Sequence, residues 1–351
     1  MKKTLQILLC LVVVLLLFVG GFLAFLSVKE YKPAPVEAVQ PMHTKHVSTL
    51  QKTELSVLSF NVGYCALGDN ADFFMDGGKE VSATTEERML ENVQNITKLV
   101  QRIQPDVALL QEVDEDAKRS YGLNQVTALQ EGTALSGAFA LNYACPYVPY
   151  PVPPIGRVYA GLLTLTPYQM SGAERVALPC PFAWPIRTAN LKRCLLVSHL
   201  PIENSDKELV LVNLHLEAYD DGEGKAAQTK MLFDILEKEY QKGNYVIAGG
   251  DFNQTFSGCL EAYPMCQESY WKPGVLENEV LPEGWQFVYD LRVPSCRLLN
   301  QPYDKNDEMQ QHYILDGFIV SPNVTVQSVE TLDYGFEFSD HNPVYAKLKL
   351  E

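Results

Sequence analysis

Five short apolar runs in this chain each deliver an ionisable or amide side chain. LSFN delivers Asn61, ALLQE Glu112, VNLH His215, VIAGGDFN Asp251 and Asn253, and YILD Asp316. A further segment, FSDHNP, adds Asp340 and His341 just before VYAKLKL, whose alternation is that of a half-buried strand. Any one of these residues could cap a turn or sit satisfied in a core. The series is harder to accommodate, because buried charge is costly unless it is paired or bound to metal. The runs therefore have to be strands whose ends meet at a common site.

The intervening segments fit such a fold. EERMLENVQNITKLVQRIQ has helical spacing and stops before Pro105, and NQVTALQEGTAL and GKAAQTKMLFDILEKEYQKG read as two more helices. LKRCLLVSHLPI and KELVLVNLHLEA read as strands joined by a polar turn at Glu203–Asp206. YACPYVPYPVPPIG reads as a loop, AGLLTLT as a strand, and the stretch up to about residue 311 as irregular. Repeats and internal linkers are absent. The pattern predicts one α+β domain from residue 54 to 351, with mostly antiparallel sheets and helices outside.

Ahead of it, Lys2 and Lys3 precede ILLCLVVVLLLFVGGFLAFLSV, a run long enough to span a bilayer. A cleaved signal peptide would need a shorter run and a small-residue cleavage site. The paired lysines favour an inside N-terminus. Residues 1–28 are thus expected to be a single-pass signal anchor, with the domain extracytoplasmic. Residues 29–53, rich in proline, are expected to form a stalk, with His43 and His46 as solvated linker residues. Cys10 lies in the apolar run, leaving an odd set of cysteines outside and no CxxC pair. The formal net charge of −15 argues against a passive nucleic-acid binder. It does not exclude an enzyme that meets a polyanion through a bound cation.

Carboxylates and amides without a thiolate cluster suit Mg²⁺, Mn²⁺ or Ca²⁺. Two histidines suit acid–base work, and Gly249-Gly250 lets the backbone approach a ligand. Together these describe metal-assisted hydrolysis of a phosphate ester.

LSFNV, LLQEV, VNLHLEA, GGDFN, LDGFIVS and SDHNPV, in that order, resemble the motif series of the endonuclease/exonuclease/phosphatase superfamily. Deoxyribonuclease I, abasic-site endonucleases, neutral sphingomyelinases and inositol-polyphosphate phosphatases belong to it. The resemblance runs from about residue 54 to the C-terminus and implies a four-layer α/β/β/α sandwich. It implies Glu112 as principal metal ligand with Asn61 and Asp340 beside it. Asp251 would hold or activate the attacking water, and Asn253 would orient it and bind phosphate. His341, oriented by Asp316, would contact the scissile phosphate, and His215 would fill the second histidine position; which histidine is the base stays open.

Three further residues are candidate substrate contacts: Arg119 and Asn124, shortly after the metal glutamate, and Arg297, whose guanidinium could fork onto phosphate. The loop between Trp271 and Trp285 is the candidate aromatic substrate loop. No hydrophobic hairpin of the kind used by secreted lipid-binding relatives is evident. The balance favours a nuclease slightly over a lipid or sugar-phosphate esterase, acting as a monomer. An inactive surface binding module is disfavoured because every core side chain is present. Asn95, Asn253 and Asn323 each match N-x-[ST], but Asn253 falls within the expected site, so these matches are read as incidental.

Overall fold

Alternation along the strands assigns each side chain to one of two cores. In Glu54–Asn61, Leu55 and Val57 point to one side while Leu58 and Phe60 point to the other. Val107–Ala117 repeats this with Val107 and Leu109 against Ala108 and Leu110. On the facing sheet, Leu209 and Leu211 of Glu208–His215 join the first core. Val210, Val212 and Leu214 of that strand turn to a third cluster. Two sheets therefore share one buried interface, and each keeps an outer apolar face for helices. Each fully buried aliphatic side chain contributes about 1.5–3 kcal/mol.

The molecule is described by a computed structural model covering residues 2–44, 47–220 and 222–351. The seven-stranded sheet runs in the order Val36–Val39, Gly172–Ala177, Cys194–Pro201, Glu208–His215, Tyr245–Asp251, Asp316–Val320, Gln286–Val288. The six-stranded sheet runs Val324–Thr331, Val344–Leu350, Glu54–Asn61, Val107–Ala117, Gly156–Thr166, Ser136–Val148. Helix α1 is Lys2–Lys29, α2 Glu86–Ile103, α3 Gln125–Thr133 and α4 Glu223–Gln241. Met89, Ile96 and Leu129 of α2 and α3 cover the six-stranded sheet, and Leu232 and Leu236 of α4 cover the other. The result is the α/β/β/α sandwich expected. Helix α2 starts at Thr85, whose side chain accepts from the Arg88 N–H, and ends at Gln104 in a left-handed conformation before Pro105.

Two expectations are corrected. The stretch 29–53 is not a free stalk. Val36–Val39 pairs antiparallel with Gly172–Ala177, Met42 bridges to Gly137, and Leu50 is fully buried beside Ile202. Prolines 33 and 35 precede this strand, and an edge strand tolerates them; its four residues are too few for alternation to stand out. His43 is exposed, and His46 lies outside the described residues. The second correction concerns YACPYV, read as loop, which is the end of the 13-residue strand Ser136–Val148. Register shifts between Leu141 and Tyr143 and between Cys145 and Val148 accommodate Pro146 within the pairing.

Helix α1 is exposed along most of its length, and only its last turns meet the domain, where Leu26 is buried. Trp184 Nε1 donates to Ser27 Oγ at 3.0 Å, and Glu30 lies 3.3 Å from both Arg187 and Lys192. All eight cysteines are thiols.

Candidate active site

Asp251 is the hub of the polar strand ends. It closes Tyr245–Asp251, in register with His215 on one neighbouring strand and Asp316 on the other. Asn61 reaches it from the facing sheet. The Asn61 amide Nδ2 donates to Glu112 Oε1 and to Asp251 Oδ2, each at 3.1 Å, while its Oδ1 accepts from the Gly63 N–H. One amide thus ties the two sheets together at the cleft. Glu112 sits where register with the Gly156–Thr166 strand shifts between Leu110 and Val113, with φ +53°. Asp340 and His341 come from the turn before the final strand. Ser339 Oγ donates to Asn61 O at 2.8 Å and fixes that turn.

The two histidines have opposite electrostatics. His341 Nδ1 lies 2.7 Å from Asp316 Oδ2, which also accepts from Ser295 Oγ. Its Nε2 lies 3.8 Å from both Asp251 and Asp340. Burial resists charging this ring, but Asp316, with Cys296 and Asp340, outweighs burial and holds the pKa well above that of a free histidine. For His215, burial and then the Arg193 and His341 cations depress the pKa well below the usual value. Its Nε2 is 3.5 Å from Asp251, and its Nδ1 has no hydrogen-bond partner. Burial pushes Asp251 up to about 6 despite His341. Asp340 rises to about 7, through burial first; His341 opposes the shift and Glu112 adds to it.

This donor set fits a hard divalent cation. Glu112, Asp251 and Asp340 line one cleft, Asp251 and Asp340 buried and Glu112 half-buried, and their negative charge there needs compensation. Cys296 also lies close: its Sγ and the ligand atoms of Asp340 and His341 are within 4.8 Å of one another. Burial pushes that thiol up to about 12, so it is not a thiolate at neutral pH.

The remaining candidates separate. Asn253 lines the cleft with φ +49°, but its Nδ2 is already donated to Leu216 O and its N–H to Asp251 Oδ1. Arg119 lines the cleft too, forked onto Asp114 and stacked 3.8 Å over the Tyr64 ring. Asn124 is not in the cleft; it caps α3 by accepting from the Thr127 N–H. Arg297 also lines the cleft; it is buried, its terminal nitrogens donate to the carbonyls of Gly68, Ala71, Leu298 and Gln301, and its Nε has no partner. Trp285 is buried edge-on against Tyr240, while Trp271 borders the cleft. Sequence reasoning missed Ser295, Ser339, Cys296 and the pair Arg193–Glu217, which are 3.1 Å apart beside His215. Ser339 beside Asp340, Cys296 beside Arg297 and Glu217 two residues after His215 were available signals, and Ser295 and Arg193 carried none. It missed as well the Gln111–Asn213 bond at 2.8 Å, which joins the sheets beneath the site.

Comparison with known proteins agrees with this geometry. The chain is similar in structure to an endonuclease/exonuclease/phosphatase from Beutenbergia cavernae DSM 12333, with TM-score 0.61 and 18% identity, covering 85% of this chain and 72% of that one. It is also similar to a conserved protein of unknown function from Enterococcus faecalis V583, with TM-score 0.56 and 18% identity over 85% of this chain and 100% of that one. D. rerio TDP2 complexed with a single-strand DNA product gives TM-score 0.51 and 16% identity over 85% and 100%. No curated protein sequence matches. The Endonuclease/Exonuclease/phosphatase family model matches residues 58–341, from the first site-bearing strand to His341, and the chain belongs to that family.

Proposed function

We propose that this chain is a divalent-cation-dependent phosphodiesterase whose catalytic domain works outside the cytoplasm. Members of the family hydrolyse phosphate esters and generally use divalent cations. The observation that carries the reading is the pair of opposed histidines around Asp251, with Glu112 and Asp340 alongside. When bound, the cation would sit on Glu112 and Asp340 beside Asn61 and neutralise phosphoryl oxygens.

The residues divide the remaining work. Asp251, whose pKa burial raises above the usual carboxylate range, is more basic than a free carboxylate and so better suited to take a proton from water. His341 is held protonated by Asp316, so its Nε2–H is a charged donor for a phosphoryl oxygen. His215 stays neutral and flanks Asp251. Asn61 spaces the carboxylates and donates to both. Asn253 braces the Asp251 loop through its backbone N–H. The extracytoplasmic placement rests on the apolar helix α1 and on Lys2 and Lys3 ahead of it. Because the TDP2 structure holds a DNA product, nucleic acid belongs among the substrates to be tested.

The test uses the full chain in detergent with bis(p-nitrophenyl) phosphate. Turnover should require Mg²⁺ or Mn²⁺ and stop in chelator. Asp251→Asn and His341→Ala should each lower kcat by about 10²-fold or more with the thermal transition retained. Undiminished turnover in chelator, or in either variant, would overturn the assignment.

A further inference from the structure

The cleft does not end at its polar residues. It is one cavity of about 650 Å³ that runs from Glu112, Asp251 and His341 to a far wall made by α1 itself, through Phe22, Leu23 and Leu26. Ile155 and Ile186 complete that apolar end. A catalytic pocket walled partly by the helix that is apolar enough to cross a membrane is an unusual place to bind a soluble substrate.

The depth of the bilayer can be read from α1. Its residues 2–21 are exposed, and residues 22, 23 and 26 turn toward the domain. The about 18 helical residues after Lys3 at 1.5 Å each give roughly 27 Å, close to the thickness of the hydrocarbon layer. The membrane surface therefore falls where α1 meets the cavity. The loops around that point carry apolar side chains in water: Tyr150 is 66% exposed, Val152 94%, Trp184 55% and Ile186 63%. Tyr147 packs edge-on against Phe22, and Trp184 bonds to Ser27. Tyrosine and tryptophan at that depth form the belt expected of a protein seated on the interface. The polar residues offer a polyanion little. Arg119 and Arg193 in the lining are committed to Asp114 and Glu217, and Arg297 gives both terminal nitrogens to backbone carbonyls, leaving only its buried Nε without a partner.

We propose that the substrate is a membrane phospholipid, drawn from the bilayer along α1, with its acyl chain against Phe22, Leu23 and Ile186 and its phosphodiester at Asp251 and His341. The inference rests on the phosphodiesterase reading and specifies its substrate class. In the reaction, water oxygen bonds to phosphorus and one P–O ester bond breaks. The departing oxygen leaves as an alcohol, carrying a proton equivalent to the one water gave up. No oxidant or further reactant is needed.

The full chain in mixed micelles, with Mg²⁺ or Mn²⁺, is given four kinds of substrate. These are bis(p-nitrophenyl) phosphate, a panel of dioleoyl phosphatidylcholine, dioleoyl phosphatidylglycerol and sphingomyelin, the dibutyroyl analogues of the glycerolipids, and single-stranded DNA. At least one long-chain lipid should be cleaved, and any cleaved glycerolipid should have kcat/KM at least about tenfold above its dibutyroyl analogue. Leu23→Trp, which fills the apolar end while staying apolar, and Ile186→Glu, on the exposed rim, should lower lipid hydrolysis at least about tenfold more than they lower hydrolysis of the chromogenic ester. Cleavage of the chromogenic ester or of DNA with every lipid untouched would overturn the substrate assignment and leave the phosphodiesterase reading standing. Equal losses on both kinds of substrate in both variants would also overturn it. Failure to cleave any of the four would remove the phosphodiesterase reading and this inference with it.

Discussion

Glu112 holds a backbone conformation that a non-glycine residue adopts at a cost of about 1–3 kcal/mol. The cost is local, because the register shift between Leu110 and Val113 places Glu112 outside the regular ladder and frees it to meet Asn61. Glu112→Gly relieves both the strain and the charge. In chelator the variant should melt no lower than the parent, while its cation-dependent turnover falls by about 10²-fold or more. A clear loss of melting temperature would mean that Glu112 is a structural residue. The carboxylates Asp251 and Asp340 give a second test. Both have folded pKa values raised above the unfolded ones, to about 6 and about 7. A raised carboxylate contributes stability below its unfolded pKa and loses that contribution as pH rises through the folded value. In chelator, stability should therefore fall between pH 5 and pH 8, and less so in Asp340→Asn. A divalent cation answers the same charge and competes with the same protons. Its melting-temperature gain should be larger at pH 8 than at pH 5, and an equal gain at both would place the cation elsewhere.

Strands and helices differ in how plainly the chain announces them. Most of the strands that carry the site were legible because an apolar run reaching a carboxylate, amide or imidazole marks a buried strand with a costly polar group; Asp316 differs, since it opens the strand Asp316–Val320 instead of closing one. Helix α2 was legible because its apolar residues recur at helical spacing and Pro105 marks its end. Val36–Val39 was not, since an edge strand of four half-exposed residues has neither signal. Arg297 shows the limit at the site: the guanidinium was visible, but only folding reveals that its donors meet the carbonyls of the Gly68–Ala71 loop. Gly250 shows the converse, for its neighbours explain it fully. Its φ is +154°, and a Cβ there would lie 1.9 Å from Leu214 O on the adjacent strand. Gly250→Ala must separate the strands bearing His215 and Asp251. It should cost about 3–5 kcal/mol and turnover together, measured by denaturant melts beside the chromogenic assay. A stable variant of normal activity would show that the strand pairing can relax there.

At the scale of the whole molecule, helix α1, the edge strand and the site form one arrangement. The chain leaves α1, is pinned by Glu30 to Arg187 and Lys192, and runs at once along the sheet edge. The domain is thereby held against the end of α1 instead of being carried on a tether. That placement meets an opposing force, since a net charge of −15 repels an anionic bilayer surface. Repulsion between exposed charges fades over a Debye length, about 8 Å at physiological ionic strength and shorter above it. For the fragment 30–351, which lacks α1 and must find the surface without it, association with phosphatidylglycerol vesicles should strengthen as salt rises from about 0.05 M to 0.3 M. Association with phosphatidylcholine vesicles, driven by Tyr150, Val152, Trp184 and Ile186, should change little. The full chain, held by α1, should show neither trend. Flotation of fragment and full chain across the salt series measures both. Weakening of the fragment on phosphatidylglycerol with salt would reveal a basic docking face and reverse the account of how the domain meets the membrane.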